Sequence, residues 1–179
     1  MIIKEINLLS NEKLQKKLQI VSIPLFLILF ILFWMISNIE SPYKRLVVHD
    51  INEIFLSTII LVSIFLLHEL IHAVLFKMFC PSSTIKFGFK KGIIYTESLD
   101  SEYSVKKFIV SCVTPFIIIS LLLFCLNFVN ILTDNLFILI ATLHGISCIG
   151  DFYWIYILRK YDNRKYKVVP TKKGINIVY

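Results

Sequence analysis

The sequence predicts an all-α membrane protein of about four transmembrane helices, with a short membrane-associated β-hairpin between the second and the third. Three observations lead there. The 179 residues are 57% hydrophobic, with only five Gly and five Pro, which fits neither a disordered chain nor an ordinary soluble domain. Four apolar stretches are long enough to cross a bilayer, and the basic residues alternate between the segments that join them. One further segment alternates with period two.

The spans are read at about Ile20–Ser37, Ile54–Phe79, Phe108–Leu132 and Leu136–Leu158. Each exceeds a signal-peptide core, and no small-residue cleavage site follows the first. Before it, residues 1–19 interleave Ile2, Ile3, Ile6, Leu9, Leu14 and Leu18 with charged residues. That pattern suits an amphipathic cytoplasmic segment lying as a helix on the inner membrane surface. Pro24 falls where a helix start tolerates it, and the first span, without ionisable residues, is scaffold. The connection at 38–53 holds His49 and Asp50, to which no role is assigned.

From Ser83 to Ser98, Ile85, Phe87 and Phe89 alternate with Lys86, Gly88 and Lys90, and Lys91-Gly92 supplies a turn before Ile93-Ile94-Tyr95-Thr96. This is a hairpin with one apolar face. Alone it is marginal in water, so it packs on the bilayer or on the helices, and its edge offers strand addition to an extended peptide. In the third span Pro115 frees a backbone carbonyl and kinks the helix. Thr133, Asp134 and Asn135 form the turn into the fourth span, and 159–179 is a basic cytoplasmic tail. No repeat, low-complexity tract or long linker divides the chain, so 20–158 is one membrane domain.

The net charge of +7 belongs to topology. The N-terminal segment, the connection between spans two and three and the tail carry sixteen Lys and Arg, against two in the other connections. This is the positive-inside bias, with both termini in the cytoplasm of a multi-pass inner-membrane protein. The partners implied are lipid and a membrane protein or peptide, with no nucleic acid. Cys80, Cys112, Cys125 and Cys148 form no CxxC pair, so they are packing residues, Cys148 bordering Asp151.

The chemistry lies in His68-Glu69-Leu70-Ile71-His72, inside the second span. Imidazoles four residues apart on a helix sit about 6 Å apart along the axis and roughly 40° around it. That is a pincer for one Zn2+, with Glu69 beside it to handle a proton. Ionisable groups are costly in a span, which argues for function. A catalytic zinc takes a third protein ligand, and the fourth span offers His144 and Asp151. Asp151 lies about 12 Å of helix before Arg159, a level matching His72, about 10 Å before Phe79, whereas His144 is about 10 Å deeper. An aspartate near a helix centre costs roughly 2.5–3.5 kcal/mol, which metal binding would offset. Asp151 is therefore the better third ligand, and Gly150 beside it lets two helices approach. His144, on the same face, hydrogen-bonds another span, assists a substrate carbonyl, or replaces Asp151 if the spans end elsewhere.

At these residues the chain resembles the site-2 protease group of intramembrane metalloproteases, and more closely a family of small bacterial membrane proteins described as zincin peptidases. The resemblance rests on His68-Glu69-Leu70-Ile71-His72, the Gly150-Asp151 pair, Ser111-Cys112-Val113-Thr114-Pro115 and the basic tail. It covers roughly residues 50–179. The Asn-Pro-x-x-Asp and Leu-Asp-Gly motifs of better-known site-2 proteases are replaced here by Ile149-Gly150-Asp151. The resemblance implies zinc held by His68, His72 and Asp151, with Glu69 activating a zinc-bound water for hydrolysis of membrane-associated peptides near the cytoplasmic side. The alternative is a non-catalytic zinc-binding membrane protein, such as a pseudoprotease or metal-handling protein.

Overall fold

The computed structural model describes residues 1–8, 10–38, 51–90 and 93–179; His49, Asp50 and the predicted turn at Lys91-Gly92 lie outside them. Among the described residues three helices are each long and apolar enough to cross a membrane: α1 (Glu12–Asn38), α2 (Ile51–Phe79) and α3 (Val105–Phe128). The fourth apolar stretch is not one helix. It divides into α4 (Asp134–Ser147) and α5 (Ile149–Leu158), bent by 46°, and passes as a span only when the pair is counted together.

Several element ends differ from expectation for local reasons. α1 begins at Glu12, where Asn11 Oδ1 accepts the Leu14 N–H (3.1 Å), so Pro24 lies inside the helix and not at its start. α3 ends at Phe128, four residues early. Asn130 turns the chain left-handed (φ 58°), a conformation asparagine tolerates, and the Ile131 and Leu132 N–H groups donate back to the Leu126 carbonyl. Thr133 then caps α4. The turn into the fourth stretch therefore precedes Asp134.

The described residues are mostly helical, as expected, but they hold six strands where only the two of a hairpin were predicted. β1 (Ile2–Ile6), β4 (Tyr103–Ser104), β5 (Lys167–Thr171) and β6 (Gly174–Val178) form one antiparallel sheet in the order β1-β6-β5-β4. The N-terminal segment thus enters a sheet instead of forming a surface helix up to residue 19. The tail supplies a hairpin, with Ile2 opposite Val178 and Ile6 opposite Ile175. Val168, Ile175 and Ile177 alternate inward, as a sheet with one buried face requires, and Ile6 joins them. β2 (Thr84–Lys90) and β3 (Ile93–Leu99) pair separately between α2 and α3 in the chain, Phe87 opposite Thr96. Lys77, in the last turn of α2, directs Nζ to the carbonyls of Pro81 (3.0 Å) and Ser83 (2.5 Å), fixing the approach to β2.

Two apolar clusters hold these parts together. Leu29, Phe33, Ile64, Ile119, Leu123 and Phe137 join the helices at one end. Phe76, Tyr103, Phe108, Leu158, Val168 and Ile177 join the helices to the four-stranded sheet at the other. On α2 a stripe with spacing four, Ile64, His68, His72 and Phe76, runs from one cluster to the other and is buried throughout. The polar residues of α2 therefore sit where the two clusters meet. The opposite face of α2 (Val62, Leu66, Leu70, Val74) and much of α1 and α3 expose apolar side chains, as surfaces facing lipid would.

Candidate metal centre

The spacing of α2 brings His68 and His72 to one face, and the stripe turns that face inward. Their Nε2 atoms lie 3.0 Å apart. The bend at Cys148 starts a new helix, so Asp151 occupies the first turn of α5, where the helix dipole favours a carboxylate. Its Oδ2 is 3.2 Å from His68 Nε2 and its Oδ1 3.4 Å from His72 Nε2. Three side chains from two helices thus converge, a donor triangle in which the two imidazole nitrogens are 3.0 Å apart and each lies 3.2–3.4 Å from a different oxygen of the Asp151 carboxylate. An ion bound tetrahedrally at 2.0–2.1 Å from nitrogen and oxygen separates its ligands by about 3.3–3.4 Å. The donor set fits zinc in type and in spacing. His144 is not in this triangle.

Each member of the triangle has outer partners. His68 Nδ1 lies 3.1 Å from His144 Nε2, so a proton on Nδ1 would point its other nitrogen, Nε2, at the triangle. His144 was expected two turns deeper; the bend and the reach of the two rings bring it to the far side of His68 instead. On α3, Pro115 lacks the N–H that would bond the Ser111 carbonyl. That carbonyl faces His72, although His72 Nδ1 makes no hydrogen bond of standard geometry.

Glu69 reaches β3. The Thr96 hydroxyl lies 2.7 Å from Glu69 Oε2 and 3.1 Å from the Glu69 carbonyl oxygen, a pairing absent from the sequence reading. The period-two pattern of β3 could have placed Thr96 on one face, but not against α2. Tyr103 secures this approach. Its hydroxyl donates to the Phe76 carbonyl (3.2 Å) and lies 2.6 Å from Ser98 Oγ on β3.

His68, Glu69, His72 and Asp151 line one cavity of about 700 Å³, together with parts of α1, the hairpin, α5 and β6. Five successive residues of β3, Ile94 to Ser98, border it, so the strand presents its edge as well as one face. Gly150 does not mediate the close helix contact expected of it, since a Cβ there would meet only Leu8 at 3.8 Å. Gly145 does: a Cβ would fall 2.6 Å from Leu29 of α1.

The family profile described as "Putative zincin peptidase" matches residues 59–166, more than half of the chain and all four residues of the site. The chain belongs to this zincin peptidase family. No curated protein and no solved structure matches it. Membership makes the chain a metallopeptidase by family, with zinc the usual metal, and the matched span holds a donor set of the fitting kind.

Proposed function

We propose that the protein is an intramembrane zinc metallopeptidase that hydrolyses membrane-associated peptides near the cytoplasmic side. His68, His72 and Asp151 would hold Zn2+, and Glu69 would act as general base. The observation that carries the reading is the convergence of His68 and His72 Nε2, 3.0 Å apart, on the Asp151 carboxylate, whose two oxygens lie 3.2 and 3.4 Å from them, in a setting where ionisable groups are costly to keep among apolar helices unless they bind something. When bound, zinc polarises the scissile carbonyl and lowers the pKa of water towards about 7.

The chain's own residues supply the rest. Glu69 faces the same cavity; the Thr96 hydroxyl holds Oε2 and leaves Oε1 to take a proton from the attacking water. The protonated Glu69 then delivers that proton to the leaving amine. The bordering edge of β3 supports an extended substrate segment added as a further strand, which would hold its carbonyls clear of helical hydrogen bonds. Three segments that carry sixteen basic residues supply all four strands of one sheet. That supports a common, cytoplasmic side for both termini.

The test uses purified protein with a membrane-anchored reporter peptide. Wild type is expected to hold one zinc per chain and cleave the reporter. Glu69→Gln is expected to keep the zinc and lose cleavage by at least about 100-fold. Normal turnover by Glu69→Gln would reject its assigned role. Tight zinc without cleavage in wild type would favour a non-catalytic zinc-binding protein.

A further inference from the structure

The proposed zinc site engages only one nitrogen of His68. The other, Nδ1, faces the opposite side of the ring, where His144 Nε2 lies 3.1 Å away and Cys148 Sγ 3.8 Å away. Cys148 Sγ is in turn 3.7 Å from His144 Nε2. A tetrahedral ion at about 2.0–2.1 Å from nitrogen and 2.3 Å from sulfur separates two nitrogens by about 3.3–3.4 Å and a nitrogen from a sulfur by about 3.6 Å. The three observed separations lie within a few tenths of an ångström of those values. His144 and Cys148 share a helix face at spacing four and are fully buried. His144 Nδ1 has no hydrogen-bond partner among the described residues. The side-chain polar neighbours of the ring are then His68 and Cys148.

We propose that His68 Nδ1, His144 Nε2 and Cys148 Sγ form a second cation site, which competes with the His68–His72–Asp151 site for the single His68 ring. Two imidazoles and a thiolate suit a soft or borderline ion such as Zn2+, Cd2+ or Cu+. Binding requires the Cys148 thiol, which now points to the His144 carbonyl (3.3 Å), to release its proton to solvent. A neutral imidazole offers one lone pair in the ring plane. An ion on Nδ1 therefore leaves the proton on Nε2 and removes His68 from the other site. Filling both would need a deprotonated ring between two dications in surroundings of low dielectric, which Coulomb repulsion opposes. The cavity reaches His68 and also Ser147, the neighbour of Cys148. The second donor set stands independently, whereas the competition rests on the zinc reading above.

The experiment titrates metal-free, detergent-purified full-length protein and its variants with Co2+, followed by absorption. A thiolate-to-cobalt charge-transfer band in the near ultraviolet marks the second site. Asp151→Asn is expected to take up one Co2+ with this band, and Cys148→Ser one Co2+ without it. In wild type, one equivalent of Cd2+ added first should weaken uptake at the first site by about tenfold or more, the scale of losing an outer partner; Cys148→Ser should not respond. No charge-transfer band at saturating Co2+ in either Asp151→Asn or wild type overturns the second site. A band in wild type that persists in Cys148→Ser overturns it too, assigning the thiolate elsewhere. Unchanged Co2+ uptake after Cd2+ overturns the competition. If Asp151→Asn shows the band while Cys148→Ser binds no Co2+, the second site stands and the zinc reading of the first one fails.

Discussion

Asp151 is the side chain on which the proposed zinc site turns, because it alone brings negative charge to two neutral imidazoles. Asp151→Asn keeps the shape and removes the charge. Under the proposed reading it lowers zinc affinity by more than the roughly 10–100-fold that follows loss of an outer partner, as measured by competition with a chelator. Thr96 offers a finer test. Thr96→Val deletes the hydroxyl 2.7 Å from Glu69 Oε2 while preserving branching and volume. Zinc content should stay at the wild-type value while turnover falls about tenfold, less than the roughly 100-fold or more that a positioned proton-transfer group itself supplies; unchanged turnover would leave Thr96 a structural contact only. His68, Glu69, His72 and Asp151 were legible in the sequence, since ionisable groups in apolar stretches stand out by their cost. Thr96 was not, because its contact depends on where a separate hairpin packs. The contact of His144 with His68 was hidden by counting depth along a straight fourth helix.

The break between α4 and α5 is the element-level feature that the hydropathy pattern conceals. Twenty-odd apolar residues read as one rod, and Cys148-Ile149 contains no proline to announce a bend. With the 46° turn at that point, Asp151 gains a helix N-terminus and His144 stays one turn from Cys148 on the preceding helix. The packing that fixes α4 centres on Gly145 against Leu29 of α1, with Phe116 beside it. Gly145→Leu should therefore overfill that contact and destabilise the protein by about 1–3 kcal/mol, lowering the melting temperature in detergent. The same substitution at Gly150, which faces open space apart from Leu8, should have a smaller effect; equal shifts at the two positions would contradict this assignment. The hairpin strands were legible through their period-two alternation, whereas the sequence could not reveal that β3 borders the cavity.

At the scale of the molecule, the four-stranded sheet gathers the N-terminal segment, the connection after α2 and the tail at one end of the helices. Its strands were the least legible part. β1 and β6 are separated by most of the chain, and neither five-residue run signals its partner. The charge distribution did suggest that these segments share a side. Epitope tags at both termini should be digested from the same face of inverted membrane vesicles, and protection of one tag alone would refute the shared side. Ile177→Asp, at a fully buried position of β6, should cost about 3 kcal/mol or more by burying an unpaired carboxylate. It should release β1 as well, seen as faster backbone amide exchange at Ile2–Ile6.

β6 lies between β1 and β5 and follows every helix in chain order. β1 therefore gains its partner only once β6 has been made, so a nascent chain stalled before Gly174 would carry His68, His72 and Asp151 and lack the strand that clasps its own N-terminal segment.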